Sequence, residues 1–315
     1  MTKKSDDWKP GNIRGLPLEE FFHSGHGACA GCGPAITMRM ITKAAGKDSI
    51  IVNATGCMEV VSTKYPTTAW GLPWVHGAFE NAAPIASGIH ASLTMQGIRD
   101  KYNIVAIAGD GATYDIGFGA VSAAFERGDK FTYICYNNEA YANTGSQQSG
   151  ATPKHAWTTT TPIGKIIHGK EVEKKPLTEI IAAHKIPYIA TASIAYPLDL
   201  FNKIKKSFTF DGPSFINVLT PCVLTWKYDS NLSIELARLA VDTGMWLLYE
   251  IENGKFSLSI HPKGLPVKDY LSKQGRFKHL TDADISEIQL HLDKQNKELI
   301  AEHECINKEV NVDGN

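Results

Sequence analysis

The residues of this chain best suited to chemistry fall into two sets. The first is Gly109-Asp110-Gly111 together with Asn137-Asn138, each set directly after a short apolar run. A carboxylate flanked by glycines lets the backbone approach a bulky anion, and a helix starting just beyond it aims free N–H groups and a positive dipole end at the same spot. Carboxylate and phosphate repel unless a cation lies between them. Asp110, the side-chain oxygen of Asn138 and a backbone carbonyl near Ala140 supply hard oxygen ligands, which leaves the remaining octahedral positions of Mg²⁺ to two phosphate oxygens and water. That chemistry suits a diphosphate. The second set is sulfur: Cys29-Ala-Gly-Cys32, Cys57 and Cys222. Four thiolates can hold a tetrahedral Zn²⁺ or a 4Fe–4S cluster, and the side chains alone hardly separate the two. A CxxC pair can also be no more than two unliganded buried thiols.

Positioning these groups calls for particular elements. Residues 104–108 and 131–136 have the length and the β-branched or aromatic content of buried strands, with a helical pattern over 115–127 between them. This βαβ unit puts both polar turns at the carboxyl ends of parallel strands, the edge where open α/β sheets bind ligands. Around it the pattern predicts helices over 34–45, 80–95, 178–184 and 198–207, and strands over 49–53, 188–192 and 215–219. The expected fold class is α/β, a doubly wound, mostly parallel sheet. Cys57 and Cys222 follow strand ends, and Cys29 and Cys32 stand in a glycine-dense loop over 23–33, so all four should reach one side of the sheet. The aromatic and proline-rich residues 63–77 are expected to be a loop covering the cysteine-bearing one. Beyond residue 226 the character changes to a helix over 234–243, a hairpin over 246–260 turning at Asn253-Gly254, and a charged amphipathic helix over 281–304 with Ile285, Ile288, Leu292 and Leu299 on one stripe. The expected division is an N-terminal arm, 1–17, a ligand-binding domain, 18–226, that carries the cysteine loops, and a C-terminal extension, 227–315, contacting partner subunits.

Composition narrows the class. The 315 residues are 43% hydrophobic, enough for one large core, and the formal net charge of −1 argues against a nucleic-acid binder. The start has no apolar segment of signal-peptide type and no run reaches the length of a membrane span, so a cytoplasmic location is expected. Six cysteines are too few for a secreted disulfide scaffold. Cys135 falls inside a strand and reads as an inert core thiol, and Cys305 has no evident partner.

Gly109-Asp110-Gly111, then a helix and a strand, then Asn137-Asn138, resembles the thiamine-diphosphate-binding fold. The string 138–145, Asn-Glu-Ala-Tyr-Ala-Asn-Thr-Gly, is similar to a narrower group, the β subunits of 2-oxoacid:ferredoxin oxidoreductases, and the likeness runs from about Leu16 to Leu280. The resemblance implies thiamine diphosphate bound through Mg²⁺ at Asp110, Asn138 and Ala140, with Gly56, Cys57, Gly109 and Gly111 against the cofactor and Asn143 pointing at the reacting centre. It implies a 4Fe–4S cluster on Cys29, Cys32, Cys57 and Cys222, in keeping with a single CxxC whose third and fourth cysteines are dispersed. It also implies oxidative decarboxylation of a small 2-oxo acid, an α subunit presenting a glutamate to the aminopyrimidine and most substrate-binding groups, a ferredoxin-like cluster subunit, and ferredoxin as acceptor. Two departures from the pyruvate pattern, Ser146-Gln147-Gln148 and Val223-Leu224-Thr225, favour oxalate as substrate, with pyruvate plus coenzyme A the alternative. A non-redox decarboxylase or carboligase subunit with structural zinc is the reading furthest from these motifs.

Overall fold

Strands whose apolar residues point alternately to two faces need a helical layer on each, and that alternation organises this molecule. The computed structural model describes residues 15–312, with side chains through His303. Most of the expected N-terminal arm, and the side chain of Cys305, lie outside the described residues.

The elements run α1 (Gly33–Ala45), β1 (Ser49–Ala54), α2 (Cys57–Ser62), β2 (Trp74–Gly77), α3 (Ala82–Met95), β3 (Asn103–Gly109), α4 (Phe118–Glu126), β4 (Thr132–Asn137), α5 (Leu177–Ala182), β5 (Tyr188–Ser193), α6 (Pro197–Ser207), β6 (Ser214–Leu219), α7 (Val223–Trp226), α8 (Ser233–Asp242), β7 (Leu248–Glu252), β8 (Lys255–Ile260), α9 (Val267–Leu271) and α10 (Asp282–Val312). The eight strands form one sheet in the order β2-β1-β3-β4-β6-β5-β7-β8. The first six are parallel, and β7 joins β5 antiparallel. The expected doubly wound, mostly parallel sheet is present.

On one face Ile51, Val105, Ile107, Ile134 and Ile216 pack under Met38 and Ile41 of α1 and Leu200 and Ile204 of α6. On the other, Val52, Ala106, Tyr133 and Phe215 pack under α3, Phe125 of α4 and Ile181 of α5. Cys135 faces this second layer, fully buried, as an inert core thiol should. A third cluster gathers Trp226, Leu236, Tyr270, Phe277 and Leu292 around the C-terminal segments.

Three local expectations change. Residues 63–77 are not wholly a loop, because their last four residues pair with β1 as the edge strand β2. The helical segment after Asp110 begins earlier than 115: residues Gly111–Ile116 make one wide turn, closed by Gly117 N–H donating five residues back to the Ala112 carbonyl at 2.8 Å. Finally, the hairpin expected in the C-terminal extension continues the sheet of the domain, β7 pairing with β5 and β8 with β7. Asn253 and Gly254 both take positive φ at its tip, +49° and +83°, as a two-residue turn of the expected kind requires.

Candidate functional site

Adjacent strands β1, β3, β4 and β6 deliver the chemistry in spatial order. At their carboxyl ends stand Gly56-Cys57, Asp110, Asn138 and Cys222. After β1 the chain moves outward to β2, and after β3 it moves the other way to β4, so the sheet's switch point lies between β1 and β3, where a crevice must open. A cleft lies there, lined by Gly56, Cys57, Gly109, Asp110, Gly111, Asn138, Ala140 and Asn143. All eight residues expected to meet the cofactor or the reacting centre therefore share one cavity. Asn143 stands on its exposed side. Thr55, Phe79, Tyr136, Tyr141, Ala142 and Thr144 complete the lining and were not singled out by sequence.

Gly109 and Gly111 are required for a reason other than backbone freedom. Neither takes a positive φ. A β-carbon on Gly109 would lie 3.2–3.4 Å from the Tyr136 ring, and one on Gly111 2.6–2.8 Å from the Tyr141 ring. Gly56 does sit at φ +159°, and a β-carbon there would meet the Tyr136 hydroxyl at 2.6 Å. The glycines thus make room for two tyrosines that wall the cleft, and an aromatic wall has no one-dimensional signature beyond its composition.

The oxygen set is closely gathered. The inward end of the Asn138 amide stands 3.1 Å from Asp110 Oδ1 and 2.7 Å from the Ala140 carbonyl oxygen. With its nitrogen inward the amide donates to both. With its oxygen inward, three oxygens crowd one point at spacings close to the ~2.9 Å between neighbouring ligands of a Mg²⁺ that holds oxygens at roughly 2.1 Å. Asp110 also accepts Ser149 Oγ–H at 2.5 Å and Asn138 N–H at 3.3 Å. Burial nonetheless pushes its carboxyl up to about 7, against the pull of those donors. A divalent cation would offset that burial and hold the carboxylate ionised.

The four cysteines come together by backbone contact. Gly27 N–H donates to the Val61 carbonyl of α2 at 2.8 Å, which ties the CxxC loop to the helix starting at Cys57. Gly33 N–H reaches the Pro221 carbonyl at 3.3 Å, and Ser233 Oγ–H the Gly31 carbonyl at 2.6 Å. Side chains at Gly31 or Gly33 would meet Ser230 and Pro221 carbonyl oxygens at 2.3 and 2.6 Å, so only glycine brings this loop against the Cys222 segment. Burial pushes the Cys32 thiol up to about 11, with the charges of Cys222 and Cys29 adding to it. Cys57 is pushed up to about 12 by burial and then by Cys222, Cys32, Cys29 and Asp110. Each thiol is unpaired in the disulfide sense, and the four lie within electrostatic reach of one another. Among the described residues no three His, Cys, Asp or Glu side chains close on a single ion.

Ser146-Gln147-Gln148 do not line the cleft. Tyr141 N–H donates to the Gln147 carbonyl and Ser146 N–H to the Tyr141 carbonyl, folding the segment back on itself. Gln147 is spent on Thr144, and Ser146 on Thr225 at 2.8 Å. Of the residues that favoured oxalate, Ser146, Gln147 and Thr225 hold the loop together.

Residues 54–218 match the family model described as thiamine pyrophosphate enzyme, C-terminal TPP binding domain, so the cleft belongs to a thiamine-pyrophosphate-binding domain. Pyruvate synthase subunit PorB of Methanocaldococcus jannaschii is 53% identical over 289 residues, spanning 90% of this chain and 97% of that one. Ketoisovalerate oxidoreductase subunit VorB of Pyrococcus furiosus is 44% identical over 281 residues, spanning 87% and 90%. The solved 2-oxoglutarate:ferredoxin oxidoreductase of Magnetococcus marinus shares the fold, with a TM-score of 0.57 at 19% identity over 73% of this chain and 82% of that one. This chain belongs to the β-subunit family of the 2-oxoacid:ferredoxin oxidoreductases. No helix among the described residues is long and apolar enough to cross a membrane.

Proposed function

We propose that the chain is the β subunit of a pyruvate:ferredoxin oxidoreductase, converting pyruvate and coenzyme A to acetyl-CoA and CO₂. The observation that carries the redox reading is the double placement of Cys57, which lines the cofactor cleft and also faces three other thiols. Thiamine diphosphate, when bound, supplies the carbon nucleophile and electron sink needed to release CO₂ from a 2-oxo acid. Asp110, Asn138 and the Ala140 carbonyl would hold the Mg²⁺ that binds its diphosphate, and Gly109, Gly111 and Gly56 keep the floor low enough for it to enter. Asn143 presents its amide on the open side, where a fixed hydrogen-bond donor stabilises negative charge developing on the substrate. Cys29, Cys32, Cys57 and Cys222 would hold a 4Fe–4S cluster, which would supply one-electron redox chemistry beside the cleft.

The cleft is open on the Asn143 side and contains no glutamate. An α subunit is therefore needed to close it, to present a carboxylate to the aminopyrimidine and to bind most of the substrate, and a further cluster subunit carries electrons to ferredoxin. Pyruvate stands ahead of oxalate because Gln147 and Ser146 are occupied within their own loop and because relatives matched over nearly their whole length are pyruvate synthase subunits. The deciding measurement is ferredoxin reduction by the assembled complex. Reduction with pyruvate plus coenzyme A is expected and reduction with oxalate alone is not; the reverse pattern overturns the substrate assignment.

A further inference from the structure

The turn 138–140 has to aim two ligands at one point, and its middle residue is under strain. Glu139 takes φ +63°, a left-handed conformation that side chains rarely adopt. Every polar group of Glu139 is gripped. Its N–H donates to Asn137 Oδ1 at 2.9 Å, and its carbonyl accepts Thr152 Oγ1–H at 2.6 Å. Its carboxylate, 3% exposed, meets the Arg276 guanidinium at 2.7 Å. Arg276 is 1% exposed and is the only buried arginine among the described residues.

Arg276 is itself fixed from three directions. Its guanidinium lies over the Trp226 ring, 3.9 Å from the centroid, and its Nε–H donates to Gln274 Oε1 at 2.8 Å. Its carbonyl accepts Trp157 N–H at 3.0 Å. Trp226 in turn donates its indole N–H to the Asn138 carbonyl at 2.8 Å. One guanidinium and the indole beneath it therefore hold both Glu139 and Asn138, the guanidinium coming from a segment reached only after the hairpin has closed the sheet.

We propose that Arg276, acting through Glu139 and Trp226, is a positioning residue that sets the Asn138 and Ala140 oxygens for the divalent cation. The inference rests on the assignment of Asp110, Asn138 and Ala140 as cation ligands. An outlying ion pair would matter for stability alone. This one grips the residue lying between two ligands, so that loosening it swings the Ala140 carbonyl away from Asp110. Lysine cannot replace it, because an ammonium can neither stack flat on Trp226 nor hold Gln274 and Glu139 at the same time in a rigid fork.

The test is Mn²⁺ binding to the assembled complex with thiamine diphosphate, read by electron paramagnetic resonance of free Mn²⁺. Arg276→Met alone strands a buried carboxylate, so the double variant Glu139→Gln with Arg276→Met, which removes both charges, carries the comparison. The expected result is a complex that assembles and melts as the parent does but binds Mn²⁺ roughly 10- to 100-fold more weakly, the range typical of lost outer partners of a metal site. Turnover then recovers as Mn²⁺ is raised. A purely structural pair predicts unchanged affinity in the double variant, and that result overturns the proposal. If the double variant does not assemble, Arg276→Lys decides by the same titration, a tenfold or larger loss supporting the proposal and parent-like affinity overturning it. Asp110→Asn serves as the reference: parent-like Mn²⁺ binding there overturns the cation assignment itself, whatever Arg276 does.

Discussion

The oxygen donors at Asp110, Asn138 and Ala140 and the thiols of Cys29, Cys32, Cys57 and Cys222 share one edge of one sheet, yet they are held in different ways. The oxygens stand on two adjacent strand ends, buried, with Ser149, Thr152 and Trp226 fixing the surrounding turn. The thiols come from three separate stretches of chain, partly exposed, and are drawn together by the glycine contacts of a loop. A hard cation with strict octahedral demands needs the first kind of site, where the ligands barely move. Burial pushes the Cys32 and Cys57 thiols up to about 11 and 12, so on the proposed reading a cluster would complete the second kind by displacing their protons. Cys57 belongs to both.

The sharpest way to break this contrast is Asp110→Asn. Losing a buried charged ligand costs about 3–5 kcal/mol, or roughly a hundredfold or more in cofactor affinity at about 1.4 kcal/mol per tenfold. Isothermal titration of the complex with thiamine diphosphate and Mg²⁺ checks it, and the absorbance near 400 nm that a cluster gives should persist. Cys222→Ser should do the converse: the visible absorbance and ferredoxin reduction fall at least tenfold, roughly, as a thiolate ligand is lost, while thiamine diphosphate still binds. A variant that loses both functions at once would show that the sites are not separable.

Acidity sharpens the same comparison. The Asp110 carboxyl, raised to about 7 in the fold against its ordinary value near 4, is protonated in the folded chain across a window in which the unfolded chain has lost that proton. The cofactor-free chain should therefore be most stable below about pH 4 as far as this group is concerned, and lose that contribution as pH rises from about 4 to about 7. Cation binding runs the other way. Mg²⁺ affinity should climb about tenfold per unit up to pH 7 and level off above it. Melting temperatures and Mg²⁺ titrations at pH 6 and pH 8 check both slopes, and Asp110→Asn should flatten them.

Gly111→Ala pushes a methyl group into the Tyr141 ring and should weaken thiamine diphosphate binding by roughly tenfold, the equivalent of 1–3 kcal/mol of overpacking. Smallest of all is Gln147→Ala. Because Gln147 bonds Thr144 rather than lining the cleft, the ratio of pyruvate to oxalate turnover should change less than about twofold. A larger change would return the oxalate reading to contention.

Much of the cofactor edge was legible because its signals are local. Gly109-Asp110-Gly111 and Asn137-Asn138 each end an apolar run, and a strand end is readable within a few residues. The sulfur edge was legible for a different reason: cysteines are rare enough that two after strand ends and two in one glycine-dense loop narrow the possibilities. What escaped was long-range. Trp74–Gly77 is a strand only because β1 offers it a partner, and the prolines and tryptophans of the stretch 63–77 mask that. Tyr136 and Tyr141 read as ordinary apolar residues, although their rings dictate the glycines opposite. Arg276 lies 137 positions from Glu139, and nothing in either neighbourhood names the other. The polar run 146–148 was expected beside the reacting carbon and does not line the cleft, because a sequence shows that a side chain is polar and not where its hydrogen bonds go.

The late position of β7, β8 and Arg276 has a consequence for synthesis. A nascent chain that has left the ribosome only as far as residue 226 carries β5 as a bare edge, because its neighbour on that side, β7, has not yet been made. In that interval Glu139 also lacks its counter-ion. Translation thus finishes the coenzyme pocket from its far end, and a prematurely terminated product would retain every ligand named above while lacking the brace that aims them.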